Sequence, residues 1–268
     1  MIKAKKSLGQ NWLIDPEAHE KIIAVLAPQA EETILEVGPG TGLLTERLVE
    51  SGAHIVAIEK DEALANQLVK KFPTVKIITG DILKLDIETL IGNWKMENGK
   101  SCYKVVGNIP YYLTSHLIRL ALEEWPQPQR IVFLVQQEVA ERAVAKPPHA
   151  NLLSLGIEYY ATASIVNQVN RNSFDPIPNV DSAILKIQPA SRQLTIDYSQ
   201  KFFRLLHIGF ASKRKQLVNN LSVGLKIDKD EIVKIIKNAG LDPQIRPENL
   251  SLSEWQRLLG QTVNKVVS

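Results

Sequence analysis

The sequence predicts an α/β protein with a mostly parallel, seven-stranded, Rossmann-like sheet and a small helical domain at its carboxyl end. Short apolar runs of strand length alternate with amphipathic stretches of helix length through the first half of the chain. Such alternation is typical of a parallel sheet covered by helices on both faces. Beyond about residue 190 the strand-like runs stop and only helical periodicity remains, which indicates a domain boundary.

The alternating segments can be assigned in chain order. Asp15 can cap a first helix that has Pro16 at its first position and runs to about Ala27. The predicted parallel strands are Thr33–Val37, His54–Glu59, Val75–Thr79, Tyr103–Gly107 and Arg130–Gln136. The predicted helices among them are Leu43–Ser51, Asp61–Phe72, Thr114–Glu124 and Gln137–Ala145.

The remaining segments complete the sheet and form the second domain. A helix after Asn151 precedes two strand-like runs, Ala161–Val169 and Ser182–Ile187, which we expect to be antiparallel strands at the edge of the sheet. Ser251 and Glu254 have the spacing of a capping box ahead of the last helix. We therefore predict one domain over residues 1–189 and a helical domain over residues 190–268.

Composition narrows the class of protein. The 268-residue chain is 44% hydrophobic, enough to bury a core, and its longest apolar runs are too short to span a bilayer. The single cysteine, Cys102, excludes an intrachain disulfide and fits a reducing compartment. The five histidines lack the spacing of zinc ligands. We expect a cytoplasmic monomer with no metal and no membrane contact.

The basic residues are unevenly distributed. Residues 1–189 contain 19 Lys and Arg against 22 Asp and Glu, whereas residues 190–268 contain 13 against 7. The carboxyl-terminal quarter is therefore basic, and the extreme amino terminus, with Lys3, Lys5 and Lys6, forms a second basic cluster. Such clusters suggest a polyanionic partner, because Lys and Arg release counterions from phosphates. A solvated charged surface is the better explanation of either cluster alone, and the two clusters together leave both interpretations open.

A glycine-rich turn follows the first parallel strand. Residues 34–42 read ILEVGPGTG, so Gly38 and Gly40 lie between a strand and a helix. Glycines there let the backbone approach a ligand closely. Dinucleotide-binding enzymes have a similar turn with the spacing G-x-G-x-x-G. The G-x-G-x-G spacing here instead resembles the cofactor loop of S-adenosyl-L-methionine-dependent methyltransferases.

Acidic side chains follow the next two strands. Glu59 ends the second, where a carboxylate can accept hydrogen bonds from both ribose hydroxyls; helix capping is the alternative, for which Asp61 is better placed. Asp81 follows the third and can accept from an adenine amine, with Ile82 against the ring, although Gly-Asp is also ordinary turn sequence. Because ligands of open α/β sheets bind at the carboxyl ends of the strands, three such sites together predict a cofactor pocket.

The fourth strand continues into Asn108-Ile109-Pro110-Tyr111. The Asn108 oxygen and the Ile109 carbonyl can hold the hydrogens of an exocyclic amine while Tyr111 stacks on the base. Held in this way, the nitrogen can direct its lone pair at a sulfonium methyl, so positioning and electrostatics supply the catalysis. Asn-x-Pro is also common in turns, and the motif alone leaves both interpretations open.

Several segments together resemble the ribosomal RNA adenine dimethyltransferase family. They are SLGQNWL at 7–13, LEVGPGTGLLT at 35–45, VVGNIPYYLTS at 105–115, QQEVAERAVA at 136–145, FDPIPNVDSAI at 174–184 and SKRKQLVNNLS at 212–222. Within the family, the GPGTG, SLGQN and SKRKQLVNN sequences favour the small-subunit type over the large-subunit methyltransferases that confer macrolide resistance.

The resemblance implies a class I methyltransferase fold, S-adenosyl-L-methionine as the cofactor and N6,N6-dimethylation of two adjacent adenosines. Those adenosines lie in the 3′-terminal hairpin loop of small-subunit (16S) rRNA, within a late 30S assembly intermediate. A non-catalytic rRNA-binding assembly factor with the same fold is the alternative from another class. Intact Glu59, Asp81, Asn108 and Tyr111 argue against it.

The resemblance also implies roles for individual residues, with Trp12 departing from the phenylalanine usual at its position. The residues expected at the cofactor are Gln10, Asn11, Leu13, Gly38, Gly40, Glu59, Asp81, Ile82 and Asn108. Those expected at the acceptor base are Asn108, Pro110, Tyr111 and Phe174, the last as a second aromatic wall. Those expected on the rRNA backbone are Lys3, Lys5, Lys6, Lys213, Arg214 and Lys215.

Overall fold

The computed structural model describes residues 4–5, 8–91, 96–97, 100–101, 103–110, 112–190, 196–212 and 214–262. The chain divides into two compact units, one of residues 1–141 and 161–190 and the other of residues 142–160 and 191–268. The first unit contains the sheet and the second is helical, which confirms the predicted fold class.

The first unit is built on a seven-stranded sheet. The strands of the described chain are β1 (Trp12–Leu13), β2 (Thr33–Val37), β3 (His54–Glu59), β4 (Lys76–Thr79), β5 (Met96–Glu97), β6 (Lys100–Ser101), β7 (Tyr103–Asn108), β8 (Arg130–Gln136), β9 (Ala161–Val169), β10 (Phe174–Asp175) and β11 (Ser182–Pro189). The sheet order is β4-β3-β2-β7-β8-β11-β9. The first five strands are parallel, and β11 runs antiparallel to both β8 and β9, as predicted.

The central strands are buried because their side chains are apolar on both faces. Leu35 and Val105 are fully buried on neighbouring strands, as are Ile34 and Val106, which project to the opposite face. A strand covered on both faces needs this near-continuous apolar sequence. The same property explains why the bounds of β2, β3 and β8 match those predicted from the sequence.

Helices of the first unit connect these strands. They are α1 (Pro16–Leu26), α2 (Leu43–Glu50), α3 (Glu62–Lys71), α4 (Ile87–Ile91), α5 (Thr114–Glu123) and α6 (Gln137–Val144), the last of which runs across the division between the units. Asp15 caps α1 by accepting hydrogen bonds from the N–H groups of Glu17 and Ala18. Asp61 caps α3 by accepting from the N–H of Ala63 at 3.1 Å. These caps fix where both helices begin.

The second unit is a helical bundle with its own core. Its helices are α7 (Leu152–Tyr160), α8 (Ile196–Gly209), α9 (Leu217–Leu225), α10 (Lys229–Asn238) and α11 (Leu252–Thr262). Tyr159 stacks on Phe202 with ring centroids 4.6 Å apart, and Trp255 is fully buried. The predicted capping box is present: the N–H of Ser251 donates to Glu254 Oε2 at 2.8 Å.

The position of α7 differs from the predicted division at residue 190, which assigned this helix to the first domain. Leu155 and Tyr159 of α7 belong to the same buried cluster as Phe202 and Trp255. The segment therefore groups with the helical unit, although it precedes β9 in the chain.

Two properties of the described residues bear on the class of protein. None of the helices within the described ranges is both long and apolar enough to cross a bilayer. Among the same residues, no three His, Cys, Asp or Glu side chains are grouped so that they could hold a metal ion.

Two helical glycines give a test of the second unit's core. A Cβ on Gly209 would overlap the buried Trp255 ring, whereas one on the exposed Gly260 of α11 would meet nothing within 4 Å. We expect Gly209→Ala to destabilise the unit by about 1–3 kcal/mol through overpacking. The matched Gly260→Ala should stabilise it by up to about 1 kcal/mol through helix propensity. Chemical denaturation followed by tryptophan fluorescence measures both, and effects of the same sign would contradict the described core.

Candidate functional site

The carboxyl ends of β2, β3, β4 and β7 surround one cavity. β2 lies beside β7 because the chain first extends the sheet through β3 and β4 and then crosses to the other side. Ligands of open α/β sheets bind at such a switch point. The predicted residues that line the cavity are Gln10, Asn11, Gly38, Gly40, Glu59, Asp81, Ile82, Asn108 and Pro110.

Glu59 links two parts of this cavity. Its Oε2 accepts the N–H of Gly40 at 3.0 Å, and its Oε1 accepts the N–H of Asp61 at 2.8 Å. The side chain is buried, and burial raises the pKa of Glu59 above its ordinary value while these two N–H groups oppose the rise. Each carboxylate oxygen has a second lone pair, so Glu59 can also accept hydrogen bonds from a diol.

The glycine turn is shaped for a ligand and for one aromatic side chain. Gly40 has a φ of +59°, and a Cβ there would lie 2.9 Å from Cδ1 of Trp12. The indole therefore lies directly over the turn, and Trp12 lines the cavity. The Trp12 Nε1 is buried and has no hydrogen-bond partner in the part of the chain that the structure describes.

Asp81 presents a carboxylate at the end of β4. Its Oδ1 accepts the N–H of Leu83 at 3.1 Å and its Oδ2 accepts from Lys60 Nζ at 2.9 Å. The hydrogen bond from Lys60 holds the pKa of Asp81 below its ordinary value, so the group is an anion at neutral pH. The buried Ile82 follows it and supplies an apolar surface to the cavity.

Asn108 is held in a defined orientation at the end of β7. Its Nδ2 donates to the carbonyl oxygen of Asn11 at 2.8 Å, which assigns the opposite side of the amide to the oxygen. The N–H of Ile109 donates to the carbonyl of Leu134 at 3.0 Å, so the backbone after Asn108 is also fixed. Gly107 is required before it, because a Cβ there would overlap the Val37 carbonyl on β2.

These groups fit S-adenosyl-L-methionine. The cavity offers Glu59 for a ribose diol, Asp81 for an adenine amine, Ile82 for the purine ring and the Gly40 turn for close backbone approach. The acceptors are held by backbone hydrogen bonds, so little reorganisation is needed when the cofactor binds.

Two predicted residues are placed in the core instead. β1 pairs antiparallel with β10, which sets Leu13 opposite Phe174. Leu13 is 5% exposed and lines a smaller neighbouring cavity, and Phe174 is 2% exposed within a buried apolar cluster. Phe174 does not line the main cavity, so the expected second aromatic wall is absent from that lining, because strand pairing turns the ring inward.

The structure describes only some of the residues predicted to contact the rRNA backbone or the acceptor base. Lys3, Lys6, Tyr111 and Lys213 lie outside the described residues. Lys5 forms an ion pair with Asp61 at 2.8 Å, and Arg214 and Lys215 are exposed.

The cavity lining includes further residues that sequence reasoning did not assign to the site, among them Trp12, Lys60 and Tyr112. Tyr112 is 64% exposed, which is unusual for so large an aromatic side chain. The available signals were the position of Lys60 directly after Glu59 and the second tyrosine of the Asn-Ile-Pro-Tyr-Tyr sequence.

The chain is similar to known proteins over nearly its whole length. The model of the family described as ribosomal RNA adenine dimethylase matches residues 1–260. The Ribosomal RNA small subunit methyltransferase A of Dehalococcoides mccartyi strain BAV1 is 40% identical over 96% of this chain and 88% of its own length. That of Rippkaea orientalis is 37% identical over 95% of this chain and 96% of its own.

Two solved structures share the fold. A dimethyladenosine transferase from Plasmodium falciparum aligns with a TM-score of 0.76 and 25% identity, over 94% of this chain and 98% of that one. The 23S rRNA methyltransferase ErmE aligns with a TM-score of 0.71 and 22% identity, over 94% and 99% of the two chains. The latter likeness bears on the fold alone.

A second buried acid lies below the glycine turn. Glu36 on β2 is 1% exposed and accepts a hydrogen bond from Thr45 Oγ1 at 2.7 Å. Burial raises the pKa of Glu36 from 4.5 to about 8, the Thr45 hydroxyl opposes the rise, and the charge of Glu59 adds to it. The folded protein therefore keeps a proton on Glu36 that the unfolded chain releases at lower pH.

Glu36 should make stability depend on pH. Its contribution is fully present below pH 4.5 and is lost as the pH rises towards about 8. The free energy of unfolding should fall over this window by no more than about 1.4 kcal/mol per pH unit from this group. Denaturation of Glu36→Gln without cofactor should show a shallower fall, and the exposed-site control Glu20→Gln should match the unaltered protein. An unchanged slope in Glu36→Gln would contradict a protonated Glu36.

Proposed function

Because the chain belongs to the ribosomal RNA adenine dimethylase family, we propose that it methylates two adjacent adenosines in the 3′-terminal hairpin loop of small-subunit (16S) rRNA. It is an S-adenosyl-L-methionine-dependent rRNA adenine dimethyltransferase with a class I methyltransferase fold. The small-subunit substrate is supported by relatives at 35–40% identity that are named for that subunit.

The observation that carries the proposal is the shared cavity of Glu59, Asp81 and Asn108. When bound, the cofactor supplies an electrophilic methyl group on sulfur. Glu59 and Asp81 bind and orient the adenosyl part, and Ile82 packs against its ring. Asn108 accepts a hydrogen from the target amine through its oxygen, since its nitrogen is already held by Asn11. Such preorganised acceptors cost no rearrangement at the moment of reaction.

The acceptor base enters beside Pro110. A base within a stacked helix would have to be flipped out, whereas a loop nucleotide is already less constrained. Tyr111 is proposed to stack on that base. Phe174 is proposed to hold β1 in place through strand pairing, so that Trp12 of β1 keeps its position in the cavity lining. The proposal includes a late 30S assembly intermediate as substrate, action in the cytoplasm and a monomeric enzyme.

The activity can be tested directly. Purified small and large ribosomal subunits that lack the modification should be incubated with the protein and labelled S-adenosyl-L-methionine. We expect the mass of the 3′-terminal fragment of small-subunit rRNA to rise by four methyl groups. Label confined to large-subunit rRNA would overturn the substrate assignment, and no label on either RNA would favour a non-catalytic assembly factor.

Removal of the Asn108 amide should affect chemistry more than RNA binding. Asn108→Ala loses the proposed acceptor for the target amine, and we expect turnover to fall about 100-fold or more. Binding of rRNA, measured by filter retention, should change little. The exposed control Asn172→Ala should retain turnover. Near-normal turnover in Asn108→Ala would remove the role assigned to its oxygen.

The exposed basic residues after α8 are proposed to contact the rRNA backbone. The double variant Arg214→Ala/Lys215→Ala should reduce the log–log salt dependence of RNA binding by about 0.7–0.9 for each phosphate that the protein no longer neutralises. The control Lys70→Ala/Lys76→Ala removes the same charge from exposed positions of the first unit. If both pairs lower the slope equally, the effect is one of net charge and the proposed role of Arg214 and Lys215 fails.

A further inference from the structure

The amino-terminal residues 8–12 line the cofactor cavity and are held at two points. On one side, the carbonyl oxygen of Asn11 accepts the Asn108 amide hydrogen bond. On the other, Gln10 Nε2 donates to Asp61 Oδ2 at 3.3 Å, and Gln10 Oε1 accepts the N–H of Lys5 at 2.7 Å. Lys5 Nζ itself lies 2.8 Å from Asp61 Oδ2 and 2.9 Å from Oδ1.

We propose that the Lys5–Asp61 ion pair anchors residues 8–12 against the cofactor cavity. Lys5 and Asp61 are then positioning residues for cofactor binding, and Lys5 does not bind an rRNA phosphate. The proposal rests on the function proposed above only in taking S-adenosyl-L-methionine as the ligand of this cavity.

Asp61 lies in an environment that requires a cationic partner. Its side chain is fully buried, whereas that of Lys5 is half exposed. Burial acts to raise the pKa of Asp61, but the hydrogen bonds from Lys5, Gln10 and the Ala63 N–H outweigh it and hold the pKa below its ordinary value. A buried carboxylate without its cationic partner is costly, so the pair favours the arrangement that keeps Lys5 in place.

Asp61 is also connected to the ligand-binding groups. The N–H of Asp61 donates to Glu59 Oε1 at 2.8 Å, and the other oxygen of Glu59 holds the Gly40 turn. The anchor therefore joins the amino-terminal segment to Glu59, the proposed ribose acceptor, and through Glu59 to the Gly40 turn. Displacement of Lys5 would free Gln10 and its neighbours from Asp61 and weaken the wall that they form around the cofactor.

The ammonium of Lys5 is poorly available for the competing role at an rRNA phosphate. It is engaged by a buried carboxylate that lies 56 positions away in the chain. If Lys5 left Asp61 to pair with a phosphate, the buried carboxylate of Asp61 would lose its cationic partner. Removal of Lys5 should thus affect retention of the cofactor and leave the salt dependence of rRNA binding unchanged.

The experiment compares Lys5→Met, Lys5→Arg and Asp61→Asn in the full chain, with S-adenosylhomocysteine as the probe. Calorimetry gives the dissociation constant, and stopped-flow tryptophan fluorescence gives the dissociation rate. The ion pair sets the fraction of molecules in which residues 8–12 are ordered against the cavity and able to bind the probe. Because its removal lowers that fraction, the dissociation constant should rise about tenfold. Asp61→Asn should behave like Lys5→Met, since asparagine still caps α3. Lys5→Arg should restore most of the affinity.

The matched control is Lys21→Met, which removes a lysine that pairs with Glu17 on the surface of α1. It should bind S-adenosylhomocysteine as the unaltered protein does. Thermal unfolding of each variant confirms that the first unit is folded.

The binding results distinguish an anchor role of Lys5 from a phosphate contact and from a failure of the proposed function. The anchor is overturned if Lys5→Met binds and releases the probe like the unaltered protein. In that case, a lower salt dependence of rRNA binding in Lys5→Met would place Lys5 on a phosphate. If the unaltered protein itself does not bind the probe, the proposed function fails together with the anchor. Weaker binding in Lys5→Met and Asp61→Asn but not in Lys21→Met supports it.

Discussion

The site depends on the two backbone hydrogen bonds that Glu59 accepts at the end of β3. They join the Gly40 turn after β2 to the start of α3, so one buried carboxylate sets the spacing of two adjacent strand ends. Burying an acid is unfavourable, and the raised pKa of Glu59 records that cost. A neutral acceptor could fill a merely structural role, so a buried carboxylate at this position suits oxygens that also serve a ligand.

Acidic groups accumulate around this cavity. Glu59 and Asp81 line it, Asp61 caps α3 two residues after Glu59, and Glu36 lies within β2 at a smaller neighbouring cavity. Lys5 and Lys60 neutralise the two aspartates, whereas the two glutamates rely on neutral donors. Glu36 keeps its proton at neutral pH, so a cationic ligand such as a sulfonium would find favourable electrostatics near Glu59.

Much of the fold could be predicted because its core strands are apolar on both faces and its helices carry recognisable caps. The division between the two units was harder to predict from the sequence. α7 has an apolar face that includes Leu155 and Tyr159, and periodicity cannot say which of two cores such a face joins. That choice is made by tertiary packing against Phe202 and Trp255, which lie far along the chain.

The site shows the same contrast. Residues at strand ends, such as Glu59, Asp81 and Asn108, were predictable because the topology of a parallel sheet brings its carboxyl ends together. Side chains whose orientation depends on a distant partner were not. Phe174 turns inward because β10 pairs with β1, and Lys5 is engaged by Asp61 from another element. The family resemblance implied that Phe174 faces the target base and that Lys5 contacts rRNA, but the sequence does not show the partner that orients either side chain.

The most direct test of a shared cavity for cofactor and acceptor is a crystal structure of the protein with S-adenosylhomocysteine. We expect the ribose hydroxyls on Glu59, the adenine amine on Asp81 and the sulfur directed towards Asn108 and Pro110. A ligand bound elsewhere, or one whose sulfur points away from the end of β7, would contradict the claim that cofactor and acceptor meet in this cavity.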